Sequence, residues 1–195
     1  MMRSRTLLLC ALAVVWAPGC GGDSGESASE TDSTGSETGS ETDSEPTVDG
    51  AMVVEQALGY TNFTKINAAA TGSQHGLADT VNYWVPAEYA ELYRTVAPDD
   101  PNQAAVTFPQ GTLLVKEHLD SGGATTGLTL MYKAPVGFDP DHNDWWWGLA
   151  EFEDGMYKGS LSQEGAASVC YGCHEGQPNA TLTDFVVGVA LTNRL

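Results

Sequence analysis

Near its C-terminus the chain reads Cys170-Tyr171-Gly172-Cys173-His174, and only 21 residues follow. Two thiols three positions apart with an imidazole next to the second form the C-x-x-C-H pattern of covalent haem attachment. The spacing has a chemical reason. The cysteines reach the two vinyl groups along one porphyrin edge, and the neutral histidine turns a ring nitrogen to the iron. A pattern this late in a chain restricts what the rest can be. Small single-haem carriers with the pattern near the front take a methionine well downstream as second axial ligand, and here no Met follows His174.

The cysteine count supports the same chemistry. Of four cysteines, Cys10 and Cys20 lie in the leader, so Cys170 and Cys173 have no other cysteine in the folded part to pair with. A zinc site needs two more ligands, and His75, His118 and His142 stand at no finger-like distance from the pair. A thioredoxin-like motif follows an early strand, not the last stretch of a chain.

Residues 1–19 read as an export signal: Arg3 and Arg5, then an apolar run from Leu7 to Trp16 too short to span a bilayer as a mature helix. Ala17-Pro18-Gly19-Cys20 looks like a lipobox, which makes Cys20 the lipidated first residue; an ordinary secretory signal cut nearby is the alternative. Either way the mature protein is expected in the bacterial periplasm or cell envelope, on the outer or inner membrane if lipid-anchored. From Gly21 to Gly50 there is no Lys, Arg or aromatic residue, only Gly, Ser, Thr, Glu, Asp and a few small apolar side chains. Such a segment lacks the apolar surface to order itself and reads as a tether, spanning on the order of 30 Å as a coil.

Residues 51–195 are expected to form one domain. They hold six Lys or Arg against 17 Asp or Glu, which argues against nucleic acid as a partner. Period-two runs predict strands over 111–119, 128–133 and 144–152, with Asp154-Gly155 turning the last into a hairpin with Met156-Tyr157-Lys158. Residues 86–95 predict a short helix with Ala87, Ala90 and Leu92 inward. A second helix, capped by Ser162, is expected to carry the cysteines. The fold class is α+β, mainly antiparallel β, which excludes the four-helix cytochromes whose haem pattern is also C-terminal.

Four segments together resemble the cytochrome P-460 family and its relative cytochrome c′-beta: His75-Gly76 with Val81-Asn82-Tyr83-Trp84-Val85-Pro86; Phe108-Pro109-Gln110-Gly111-Thr112-Leu113-Leu114-Val115-Lys116-Glu117; Asp144 to Gly148; and Cys170 to His174 with Asp184-Phe185. The resemblance implies a haem-clasping antiparallel sheet, commonly dimeric, with one haem c per chain. It makes His174 the proximal ligand and leaves the opposite face of the iron open. It also implies a covalent bond from Lys116 to the porphyrin rim. Strand parity agrees that Leu114, Lys116 and His118 share one face, and Leu113, Val115 and Glu117 the other.

By the same resemblance the open position takes a small nitrogenous ligand. The expected reaction is oxidation of hydroxylamine to nitrous or nitric oxide, with electrons leaving to an acceptor protein. Glu164, ahead of the cysteines, and Glu151 are candidates for moving protons. Trapping of nitric oxide or carbon monoxide on an apolar face built with Trp145 to Trp147, Met131 and Leu114 is the alternative. Electron transfer with His118 or Met156 as sixth ligand is a third. Asp139 to Asp144 begins like a calcium loop, but Asp144 stands where glycine is needed and Ala150 where glutamate is, so it reads as a turn.

Overall fold

An alternation of apolar residues on both faces of successive runs drives this chain into one twisted sheet with a core on each side. The computed structural model describes residues 45–97 and 99–195; the signal segment, Cys20 and most of the acidic tether lie outside the described residues. The protein is α+β; its described residues form seven strands, all paired antiparallel, and few helices. The strands are β1 (Thr64–Lys65), β2 (Thr71–Gly72), β3 (Thr80–Val85), β4 (Leu113–Leu119), β5 (Thr125–Lys133), β6 (Trp145–Glu153) and β7 (Met156–Gly165). β3 to β7 form a meander in sequence order, with β1 and β2 both pairing β3. Among the described residues no helix is long and apolar enough to cross a membrane.

Register fixes the two faces. Tyr83, Lys116 and Thr129 stand opposite one another, as do Leu114, Met131 and Trp147. Those positions share one face, against which pack Trp145, Phe108, Phe185 and Val186. The neighbouring positions Val115, Leu130, Leu113 and Trp146 belong to the other, covered by Val53, Val54 and Ala57 of α1 (Gly50–Leu58). Asp49 caps that helix, accepting from the N–H groups of Ala51 and Met52. The three tryptophans thus divide as a pleat requires: Trp145 and Trp147 on one face, Trp146 on the other. Gly148 is required beside them, because a Cβ there would stand 2.7 Å from the Trp146 ring.

Asp154 and Gly155, with φ of 51° and 76°, form the two-residue turn between β6 and β7. Three expectations need correction. Residues 86–95 are not one helix: a 3-10 turn, Ala87–Tyr89, precedes α2 (Ala90–Arg94). The tighter turn rotates the buried face, so Ala87 is exposed and Tyr93 is buried. Ser162 caps nothing, since β7 runs on to Gly165, and the cysteine-bearing helix α3 (Ser168–Glu175) starts after Ala167 with no side-chain cap. β7 is a largely exposed edge strand, so neither face imposed the apolar alternation that would have marked it.

Buried Glu117 ties the α1 side together, accepting from Tyr60 Oη (2.6 Å), Asn82 Nδ2 (2.9 Å), Trp84 Nε1 (3.0 Å) and Thr125 Oγ1 (2.9 Å). Burial raises its pKa, but the four hydrogen bonds together outweigh that and hold it below the ordinary 4.5. Its stabilisation is therefore complete above the unfolded-state value and lost as pH falls through the lower folded one. Glu117→Ala is expected to cost on the order of 3 kcal/mol in urea denaturation at neutral pH, because it strands buried donors. Glu117→Gln is expected to flatten the acid limb of the stability curve.

Candidate functional site

The α3 helix lies over the Trp145/Trp147 face and turns its three motif side chains differently: Cys170 is half-buried, Cys173 exposed and His174 buried. His174 Nδ1–H donates to the Phe185 carbonyl at 2.6 Å. That bond fixes the tautomer, leaving the lone pair of the neutral ring on Nε2. Burial pulls the His174 pKa down to about 4; the Phe185 bond opposes this, and the charges of Lys116 and His75 add to it. At neutral pH the imidazole is uncharged, as a metal ligand must be. The Trp147 ring stands edge-on to it, centroids 4.7 Å apart.

His174 and Cys173 line a cavity of about 290 Å³ whose other wall is the sheet: Val81, Tyr83, Leu114, Lys116 and Met131. His75 enters the same cavity from the loop between β2 and β3, with Nδ1 2.8 Å from Lys116 Nζ. Burial lowers the Lys116 pKa to about 8, and the nearby Cys170 and Cys173 sulfurs oppose that shift. The His75 pKa is lowered by burial and then by the Lys116 charge. Among the described residues no carboxylate lines the cavity.

These residues suit a covalently held haem. The two cysteines and one pre-oriented neutral imidazole are the donor set that haem c uses, on a helix beside an apolar cavity. Among the described residues, no three His, Cys, Asp or Glu side chains converge on a common point. The Trp147 Nε1–H is the one buried side-chain donor without a protein acceptor among the described residues, and it belongs to the ring that abuts His174.

The structure brings Cys173, His174 and Lys116 to one cavity, with Cys170 close enough to bias the lysine, but leaves out the two carboxylates. Glu164 is a β7 residue opposite Gly148, on the α1 face, where its carboxylate crowds Gly50 at the start of α1. Glu151 is exposed and pairs with Lys158 at 3.1 Å. Neither lines the cavity: Glu164 belongs to β7, and the helix expected to carry it does not begin until Ser168. His118 is buried with Nε2 2.7 Å from Thr129 Oγ1, and Met156 is exposed at the β6–β7 turn; neither lines the cavity. Residues 139–144 form a turn in which Asp144 accepts from the N–H groups of Gly137 and Asp139.

Two contributors escaped the sequence reading. The sequence offers His75 within the resemblance and as a zinc ligand that its spacing disfavours, but not as the neighbour of Lys116. His142 stacks on Tyr171 between the cysteines, centroids 3.7 Å apart, and is itself held by Asp139 at 2.9 Å. Comparisons of the chain with protein-family profiles, with curated proteins and with solved structures return no match.

Proposed function

We propose that this is an exported, lipid-anchored haem c protein of the cytochrome P-460 type that oxidises hydroxylamine and passes the electrons to an acceptor protein. The observation that carries the reading is the convergence of Cys173, His174 and Lys116 on one cavity, with the His174 ring already oriented by Phe185. Cys170 and Cys173 would hold the haem through thioethers, and His174 Nε2 would ligate its iron. When bound, the haem supplies the redox-active centre and an open position for a small nitrogenous ligand.

The remaining work falls to side chains of the cavity. Lys116 carries a fraction of neutral amine unusual for lysine near neutral pH, and only that form is nucleophilic. His75 is within hydrogen-bond distance of that amine and is placed to accept the proton the nitrogen sheds as it forms a bond. Bonding of that amine to the porphyrin rim would replace a rim C–H by C–N, with two protons released and two electrons passed to a peroxide-class oxidant, and Lys116 would be the nucleophile. His75 also replaces Glu164 as the group that moves protons in the cavity, since it is the imidazole not committed to the iron. Val81, Val85, Leu114 and Met131 keep the ligand space dry.

The lack of a lining carboxylate favours one second reading, capture of nitric oxide or carbon monoxide without turnover. Ferric haem-loaded protein mixed with hydroxylamine decides between them. Rapid reduction, with nitrous oxide released when an oxidant is present, is expected of the enzyme. A stable nitric oxide complex with no reaction toward hydroxylamine supports capture instead.

A further inference from the structure

We propose that the buried Lys133–Asp184 ion pair is a positioning device for His174, acting through the backbone carbonyl of Phe185; this rests on His174 being the haem ligand. The pair lies on the far side of the loop that follows α3. Asp184 is completely buried. Its carboxylate accepts from Lys133 Nζ at 2.8 and 2.7 Å, from the Phe108 N–H at 2.8 Å and from Asn143 Nδ2 at 2.8 Å. Its own carbonyl accepts from Trp145 Nε1 at 2.7 Å. The Lys133 ammonium in turn lies 4.7 Å from the centre of the Trp145 ring.

What this holds is a backbone that side chains disfavour. Asp184 and Phe185 are consecutive non-glycine residues with φ of 56° and 59°. L-residues avoid that left-handed region, and two in a row persist only where the surroundings over-determine them. The bonds to Asp184 come from four segments: β5, the run before β4, the 139–144 turn and the start of β6. Together they leave the Phe185 carbonyl one orientation, aimed at His174 Nδ1 at 2.6 Å. Phe185 is further enclosed by the His142 ring, which also stacks on Tyr171 of α3, so the loop and the haem helix are registered to each other from both ends.

The consequence is chemical as well as mechanical. A short, well-aligned acceptor on Nδ1 increases the basicity of the imidazole at Nε2, strengthens its bond to iron and stabilises the ferric state. Because Lys133 neutralises Asp184, the pair contributes position more than field. If the carbonyl swings away, the imidazole becomes a weaker donor with more than one orientation.

Resonance Raman spectra of the ferrous haem-loaded protein and its midpoint potential read this directly, and neither reports mere folding. In Asp184→Asn the iron–histidine stretching band is expected to move to lower frequency and broaden, and the potential to become more positive. Asn143→Ala removes one anchor without stranding a charge and is expected to move both in the same direction by less. A folded, haem-loaded Asp184→Asn protein with the wild-type band and potential overturns the proposal. Should that variant fail to fold, an unchanged band and potential in Asn143→Ala overturn it equally. Wild-type protein with no iron–histidine band removes the haem reading itself, and the positioning role with it.

Discussion

With Cys170 and Cys173 both replaced by serine, the chain is expected to retain no haem after denaturation, where the wild-type chain keeps all of it. The sulfurs and the imidazole do separable work. Thioethers hold the porphyrin to the polypeptide whatever the state of the fold, so acidified organic solvent, which unfolds the protein and frees the iron ligand, discriminates them. His174→Ala should therefore keep pigment on a denaturing gel while losing the native spectrum, because attachment survives and the axial bond does not. The same substitution leaves the Phe185 carbonyl buried without its donor, at a cost of about 1–3 kcal/mol. Cys170 is half-buried against the core face and Cys173 is exposed, so of the two single variants Cys170→Ser is expected to perturb packing more. Wild-type protein that emerges folded and colourless from a host able to attach haem would overturn the whole reading.

How far the sequence could be read depended on how local the deciding physics was. β4 has apolar residues on both faces, so alternation alone put Leu114 and Lys116 together and set Glu117 on the opposite side, as observed. The same pleat rule separated Trp146 from its neighbours. β7 gave no such signal: an edge strand wet on both sides can be polar throughout, and its Ser162 and Glu164 imitate a helix start. The 86–95 segment failed on a finer point, since a 3-10 turn shifts the inward face by part of a turn.

The polar constellation of the site was illegible for a different reason. His75 meets Lys116 across 41 positions, and Asp184 meets Lys133 and Phe108 across 51 and 76. Neither pairing follows from any period. Both arise because the meander exposes one face to three unrelated segments: the 73–79 loop, α3 and the chain after it. The strand order therefore explains the site better than any one motif does. A sheet whose second face is closed by α1 has its first face free to be closed by the C-terminal segment, and the cavity forms where that closure is incomplete.

Lys116 is expected to titrate near pH 8 in protein lacking haem, not at the ordinary 10.5, and this sets when it can react. Burial among Leu114, Met131 and Tyr83 penalises the ammonium; the nearby Cys170 and Cys173 sulfurs oppose that but do not outweigh it. At neutral pH its neutral fraction then exceeds that of an ordinary lysine by more than about a hundredfold, since each pH unit is a factor of ten. Competitive acetylation followed by peptide mass analysis measures the midpoint. The sign for stability follows: between the lowered folded value and 10.5 the unfolded chain binds the extra proton, so the haem-free fold gains stability as pH rises through that window. In haem-loaded protein supplied with a peroxide as two-electron oxidant, the same neutral amine is expected to replace a rim hydrogen and give a third covalent link, seen as a mass change and a red-shifted ferrous Soret band, both lost in Lys116→Ala. Formation of that link should accelerate as pH rises toward and through 8. His75→Ala should slow it, by removing the imidazole that takes the proton from Nζ. A midpoint at 10.5, or one spectrum shared by the wild type and Lys116→Ala, would show that this lysine is only a partly solvated strand residue.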